Sequence, residues 1–263
     1  MKRARIAWAG AVHDAVECDG QLELLTPAVR GQRVPFEGVV WLPPLLPLPA
    51  QRPRTILALG LNYADHAKEL AFKAPEEPLA FVKGEASLIG HRGFTVRPPE
   101  VQFMHYECEL AVVIGRTAKH VRRDDAYGVV AGYTVANDYA IRDYLENWYR
   151  PNLRVKNRDT ATPIGPWLVD AADVHERPGG PMNLALQTTV NGRVTQQGNT
   201  RDMVFDIPAL IEHFTSFMTL QPGDLILTGT PDGVVDCQPG DVIVTSIEGI
   251  GDLVNTITSS EPA

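Results

Sequence analysis

Apolar residues in this chain fall in short runs broken by turn-forming residues, and a helical period is sustained only over Asp206 to Met218. There Ile207, Leu210, Ile211, Phe214 and Met218 form one stripe, Asp206 suits the N-cap and Pro208 is tolerated in a first turn. Elsewhere the runs are strand-sized. Ile6 to Val16 and Gln21 to Leu25 read as strands with Asp19-Gly20 as a hairpin turn, and Thr55 to Leu61 reads as a buried strand. Asn62 to His66 opens a short helix through Leu70, with Asn62 or Asp65 as its N-cap. Glu107 to Gly115 and Gly128 to Asn137 are two further strands. The quartet QPGD occurs at Gln221 to Asp224 and again at Gln238 to Asp241, each time before a β-branched run, as a Pro-Gly turn entering a strand. Strands dominate and the order is not an alternating βαβ series, so the expected class is α+β.

Five prolines between Pro43 and Pro53 lack amide donors and have a fixed φ, which makes that stretch an extended connector. The expected division is a small β-rich N-terminal domain over residues 1–50 and a main, catalytic domain over 51–263. With 263 residues, 44% hydrophobic, the chain is long enough for a sizeable core, and intrinsic disorder is excluded. Its formal charge of -8 argues against nucleic acid or an anionic membrane as a partner, so an anionic ligand must meet a local basic site. Cys18, Cys108 and Cys237 suggest neither a disulfide framework nor a zinc site. The apolar run Ile6 to Val12 reads as a first strand, no run reaches membrane-helix length, and the chain reads as soluble and cytoplasmic.

Two acids stand two apart in Glu107-Cys108-Glu109 at the head of an apolar run. A period of two turns both carboxylates to one face and Cys108 to the other. Like charges so placed need a cation or a proton between them, and Asp138, at the end of VVAGYTVAN, can add a third oxygen. Hard oxygen donors select Mg²⁺ or Mn²⁺, with Ca²⁺ next and zinc below it. Taken alone, an E-x-E pair more often describes solvated acids at a strand end. His105 shares the parity of the glutamates and would sit around the cation, or be satisfied elsewhere. From Arg142 to Asp159 the chain is locally basic through Arg142, Arg150, Arg154, Lys156 and Arg158, a docking place for an anion or a solvated charged loop. The turn around Thr228-Gly229-Thr230-Pro231 offers backbone amides and the Thr230 hydroxyl, or is simply a tight turn. His66 and Glu69, three apart, form an acid/base pair or an exposed ion pair.

In their order along the chain, Asn62 to His66, Phe81-Val82-Lys83-Gly84, Glu107-Cys108-Glu109, Asn137-Asp138, Arg142-Asp143, Lys156 and Thr228 to Pro231 resemble the fumarylacetoacetate hydrolase family. The stretches from Asn137 to Asp159 and from Gln196 to Phe214 resemble its homoprotocatechuate-pathway branch. The resemblance implies a mixed β-sandwich roll with a few short helices, usually a homodimer. It implies a divalent cation held by Glu107, Glu109 and Asp138, and a di- or tricarboxylate substrate held by Arg142, Lys156 and Thr230. His66 and Glu69, with Lys156, become the catalytic groups that activate water or move protons. The implied chemistry is decarboxylation and isomerisation of 2-oxo and 2-hydroxydienoic acids through a metal-stabilised enolate. Hydrolase members often carry glutamine where this chain has Leu145, and a small residue or proline in place of Glu85, which points away from hydrolysis. The competing expectations are an acylpyruvate hydrolase or oxaloacetate decarboxylase on the same scaffold, and a non-catalytic metal-dependent binding module.

Overall fold

The computed structural model describes residues 1–48, 52–64, 75–145 and 152–260. The larger sheet contains β1 (Lys2–Trp8), β2 (Ala11–Cys18), β3 (Gln21–Leu24), β4 (Arg33–Val34), β5 (Val40–Leu42), β6 (Ile56–Gly60), β7 (Leu79–Lys83) and β8 (Leu88–Ile89). Later in the chain it takes up β11 (Cys108–Ile114), β12 (Val130–Asn137), β14 (Thr162–Asp170) and β17 (Leu225–Leu227). Most of its strands run in the order β4-β3-β2-β1-β14-β12-β11-β17-β6-β7, mixed in direction because β17 lies parallel to β6. A second sheet, in the order β16-β15-β18-β19-β9, is built from β9 (Phe94–Val96), β15 (Ala185–Val190), β16 (Arg193–Asn199), β18 (Val242–Ile247) and β19 (Gly251–Thr258). The short pair β10 (Met104–His105) and β13 (Ala140–Ile141) completes the strand set among the described residues. The fold is strand-rich α+β, as the run lengths predict.

Local chemistry explains most boundaries. The helix spans Ile207–Phe217, with the Asp206 carboxylate accepting from Ala209 N at 2.9 Å and Pro208 in the first turn. Its buried side chains include Ile207, Leu210, Ile211 and Phe214, the predicted stripe. Both QPGD quartets are turns of one design: the Asp224 and Asp241 carboxylates each accept from the backbone N of the glutamine three residues back, at 2.7 Å. Gly223 and Gly240 take the positive φ such turns require. One strand expectation is corrected. Ile6 to Val16 is two strands, because Ala9-Gly10 adopts φ of 49° and 79° and forms a two-residue hairpin turn like Asp19-Gly20 (51° and 75°). Alanine carries a steric penalty in the left-handed region, so its identity does not announce the turn.

Across the proline-rich connector the two parts of the chain share one sheet and one core. β1 pairs with β14 through Lys2↔Val169 and Arg3↔Leu168, and Ile6, Leu22 and Leu24 pack in one apolar cluster with Val112, Val135 and Val169. Trp41 meets Trp167 edge-on at 5.3 Å between ring centres. Within the connector Leu45 is buried, and Arg54 Nη2 donates to Leu46 O at 2.9 Å.

Candidate metal centre

Every residue of β11 is buried, and the strand lies between β12 and β17 at the middle of the larger sheet. Its alternation sorts the side chains: Cys108, Leu110, Val112 and Ile114 enter one apolar cluster, while Ala111 and Val113 enter another. Glu107 and Glu109 share the second parity, so both carboxylates leave the same face. Cys108 is core, with its thiol pKa pushed up by burial. Register supplies the third acid. Cys108 pairs with Asn137, which sets Asp138 beside Glu107, and Asp138 N donates to Glu107 O at 2.9 Å. The result is a buried trio whose ligand oxygens all lie within 4.8 Å of one another.

Two lysines enter the cluster. Lys156 Nζ lies 2.6 Å from Glu107 Oε2 and 2.9 Å from Asp138 Oδ2, while Lys83 Nζ lies 2.5 Å from Asp138 Oδ1 and also donates to Lys156 O. Burial alone would lower the Lys156 pKa, but Asp138 and Glu107 outweigh it and hold the ammonium above its usual range. For Lys83 burial wins over the attraction of Asp138, and its pKa falls. Lys83 is the residue that sequence reasoning left without a role. Its signal was a lone cation ending the apolar run LAFVK.

Glu109 is the uncompensated member. Its Oε2 accepts from Gly229 N at 2.6 Å, while Oε1, fully buried, has no hydrogen-bond partner among the described residues. Burial first, then the Asp138 and Glu107 charges, push its pKa well above the usual carboxylate range. A buried acceptor without a partner costs free energy, and a buried anion costs more. A divalent cation among these oxygens would remove both costs. Three carboxylates and two ammoniums carry a net charge of -1, so a divalent ion would leave +1, a site poised for an anion. The Glu-Glu-Asp group therefore fits a metal site of hard oxygen donors.

The rest of the predicted site surrounds this cluster unevenly. Gly229, at φ 87°, follows Thr228, whose hydroxyl donates to Leu110 O at 2.9 Å, and a Cβ at 229 would stand 2.8 Å from Asn62 Cβ. Asn62 donates to Thr228 O at 2.8 Å and to Phe205 O at 3.0 Å, and accepts from Phe205 N at 2.8 Å. Its carboxamide thus fastens the turn that presents Gly229 and Thr230. Thr230 is buried. Arg142 donates from Nε to His105 Nε2 at 2.8 Å. With Nδ1 of His105 at 3.0 Å from Tyr106 O, the proton sits on Nδ1 and Nε2 accepts. Burial, opposed by Glu107 and reinforced by Arg142 and Lys156, holds the His105 pKa down at about 4, so the ring is neutral near pH 7. His105 Nδ1 also lies 3.7 Å from Glu107 Oε1, while both ring nitrogens find partners outside the trio in Tyr106 O and Arg142 Nε.

The described residues of the basic segment diverge. Lys156 reaches the carboxylates, whereas the Arg154 guanidinium sits 3.7 Å from the Tyr144 ring centre. Glu85 pairs with Arg54 at 3.2 Å and Leu145 is exposed. Arg150, His66, Glu69 and the helix predicted through Leu70 lie outside the described residues.

The description "Fumarylacetoacetate (FAA) hydrolase C-terminal" matches residues 55–258, a span that holds the whole trio, both lysines and the Thr230 turn. The chain belongs to the fumarylacetoacetate hydrolase family. It is 58% identical over 209 residues to the 4-hydroxyphenylacetate degradation bifunctional isomerase/decarboxylase of Salmonella dublin, covering 80% of this chain and 48% of that protein. The chain thus spans about half the length of the curated relatives it matches. The 5-carboxymethyl-2-hydroxymuconate delta-isomerase of Mycobacterium smegmatis superposes with a TM-score of 0.84 at 36% identity, covering 100% of both chains. The maleylpyruvate hydrolase of Sphingobium sp. SYK-6, solved with manganese (II) and pyruvate, does so with a TM-score of 0.80 at 29% identity, covering 98% of this chain and 99% of that one.

Proposed function

We propose that this family member is a divalent-metal-dependent isomerase and decarboxylase of 2-oxo and 2-hydroxydienoic polycarboxylates in homoprotocatechuate degradation, using Mg²⁺ or Mn²⁺. The observation that carries the reading is the buried trio with its unpaired Glu109 oxygen. The choice of reaction is supported by the 58% identity to the isomerase/decarboxylase relative. Glu107, Glu109 and Asp138 would hold the cation. When bound, it supplies Lewis acidity that stabilises negative charge developing on the oxygen of a 2-oxo acid, a demand shared by carbon dioxide loss and ketonisation.

The chain's own groups do the rest. Lys156, kept protonated by Glu107 and Asp138, presents an ammonium to a substrate carboxylate beside the cation. Arg142, its Nε anchored on the neutral His105, offers the other guanidinium nitrogens to a second carboxylate. The Thr230 hydroxyl donates to a carboxylate oxygen. His66 and Glu69 move the carbon-bound proton. Lys83 keeps Asp138 in place and balances its charge without touching substrate.

The test is an ultraviolet assay of the chelator-stripped protein with the hydroxydienedioate and the tricarboxylate, with and without Mg²⁺ or Mn²⁺. Turnover of both, dependent on metal, is the expected result. Full turnover without metal rejects the Lewis-acid role. The structural likeness to the manganese-containing maleylpyruvate hydrolase favours a second reading, acylpyruvate hydrolysis. Product analysis separates the two, because hydrolysis consumes water and yields two acids while decarboxylation releases carbon dioxide.

A further inference from the structure

We propose that Gln196 is a positioning residue that fixes the Thr230 hydroxyl as a hydrogen-bond donor, and so sets the site's affinity for a carboxylate. The inference rests on the reading of Thr230 as a carboxylate contact and assigns a role to the stretch Gln196-Gln197-Gly198, which the catalytic proposal leaves unused. This stretch lies in β16 of the second sheet and packs closely on the turn after β17. A Cβ at Gly198 would come within 2.8 Å of Pro231 Cβ and Cγ, and one at Gly233 within 2.6 Å of Thr195 O. Strand and turn therefore meet at backbone distance, with the Gln196 amide buried between them.

The orientation of that amide follows from its neighbours. Pro231 O can only accept, so the Gln196 group 2.7 Å from it is the NH₂ nitrogen. The same nitrogen lies 2.9 Å from Thr230 Oγ1, while Gln196 Oε1 accepts from the Thr188 hydroxyl at 3.1 Å. Both NH₂ hydrogens are thereby used. Thr230 Oγ1 accepts from Gln196, and its own hydrogen must point away from it. Among the described residues no group accepts that hydrogen, and one residue earlier Gly229 N binds Glu109 Oε2. The hydroxyl is thus held as a donor next to the carboxylate trio. A donor oriented in advance suits an anionic acceptor, because no rotor has to be ordered when the acid binds.

The experiment uses the Mn²⁺-loaded protein and compares wild type, Thr230→Val, Gln196→Met and the double variant. The readouts are oxalate affinity by calorimetry, Mn²⁺ affinity, and steady-state kinetics with the hydroxydienedioate. Each single variant should raise the oxalate Kd and the substrate KM about tenfold, as expected for a lost hydrogen bond to a charged group. In Gln196→Met, Mn²⁺ affinity and kcat should stay within about threefold, since Gln196 touches no metal ligand. The double variant should bind oxalate no more weakly than Thr230→Val alone. If Gln196→Met weakens binding by the same factor in both backgrounds, or leaves it unchanged while Thr230→Val weakens it, Gln196 only packs and the proposal is overturned. If Thr230→Val itself leaves oxalate binding unchanged, the Thr230 reading fails, while Mn²⁺ binding still reports on the metal site. Should Gln196→Met not fold, Gln196→Glu serves: its carboxylate would capture the Thr230 hydrogen and raise the oxalate Kd more than Thr230→Val does, and unchanged affinity overturns the proposal.

Discussion

Asn137 and Asp138 are adjacent in sequence, yet their side chains enter two different buried polar regions. On the Asn137 side everything is neutral and closed: Asn137 Oδ1 accepts from the Thr245 hydroxyl at 2.9 Å, and Asn255 Oδ1 accepts from the Tyr139 hydroxyl at 3.1 Å. Asn255 Nδ2 donates to Thr95 Oγ1 at 3.0 Å, and the Thr95 hydroxyl passes its hydrogen to Thr160 O at 2.9 Å. On the Asp138 side three carboxylates face two lysines, and one oxygen of Glu109 is left without a partner. A network that satisfies itself rigidifies the fold, whereas one with an unmet acceptor and a raised proton affinity awaits a ligand. The same strand pair thus carries a structural polar cluster on one face and a reactive one on the other.

Substitutions on the two faces should separate these roles. The largest effect belongs to Glu109→Gln, which keeps the shape and removes the charge: kcat/KM should fall by roughly a thousandfold, about 4 kcal/mol. The melting temperature of the metal-free variant should hold or rise, because the costly buried anion is gone. Steady-state kinetics and thermal unfolding on one preparation check both halves. Lys83→Met should cost stability instead, about 3 kcal/mol or more by denaturant unfolding, because Asp138 then loses a fully buried countercharge. Asn255→Leu, on the neutral face, should cost about 3 kcal/mol by stranding the Thr95 and Tyr139 partners, with kcat of the folded protein within about threefold of wild type. A large loss of kcat there would erase the distinction between the faces.

A smaller effect concerns His91, another buried polar group of the satisfied kind. Its Nδ1 accepts from Val254 N at 3.1 Å, and its ring meets Trp41 edge-on. Burial, aided by Arg92, holds its pKa down at about 4 against an ordinary 6.5. Between those values the unfolded chain binds more protons than the folded one, so stability is present above pH 6.5 and is lost as the pH falls toward 4. Its share of the loss from pH 7 to pH 5 is about 2 kcal/mol. Unfolding curves of His91→Gln should be flatter across this window, and equal slopes would reject the assignment.

Much of this was legible in the sequence, and the rest fails for identifiable reasons. The capped helix, the QPGD turns and the parity of Glu107 and Glu109 are local properties, set by nearest neighbours and strand period. Asp138 could be nominated from its position at a strand end, but only the Cys108↔Asn137 register sets it beside Glu107. Lys83 and Gln196 were missed because their partners lie 55 and 34 residues away, a distance that pattern cannot span. The hairpin at Ala9-Gly10 was missed because alanine is an unusual residue for the left-handed region. For the basic segment, charge density in sequence allows either an anion-docking place or a solvated charged loop, and only packing shows that Lys156 turns inward while Arg154 lies over Tyr144.

The central claim is that the trio binds one divalent ion, and Mn²⁺ titration of the chelator-stripped protein, followed by electron paramagnetic resonance, tests it directly in wild type and Glu109→Gln. The account predicts one Mn²⁺ per chain in the wild type and binding weaker by a hundredfold or more in the variant. No binding to the wild type, or equal binding by both proteins, would contradict it.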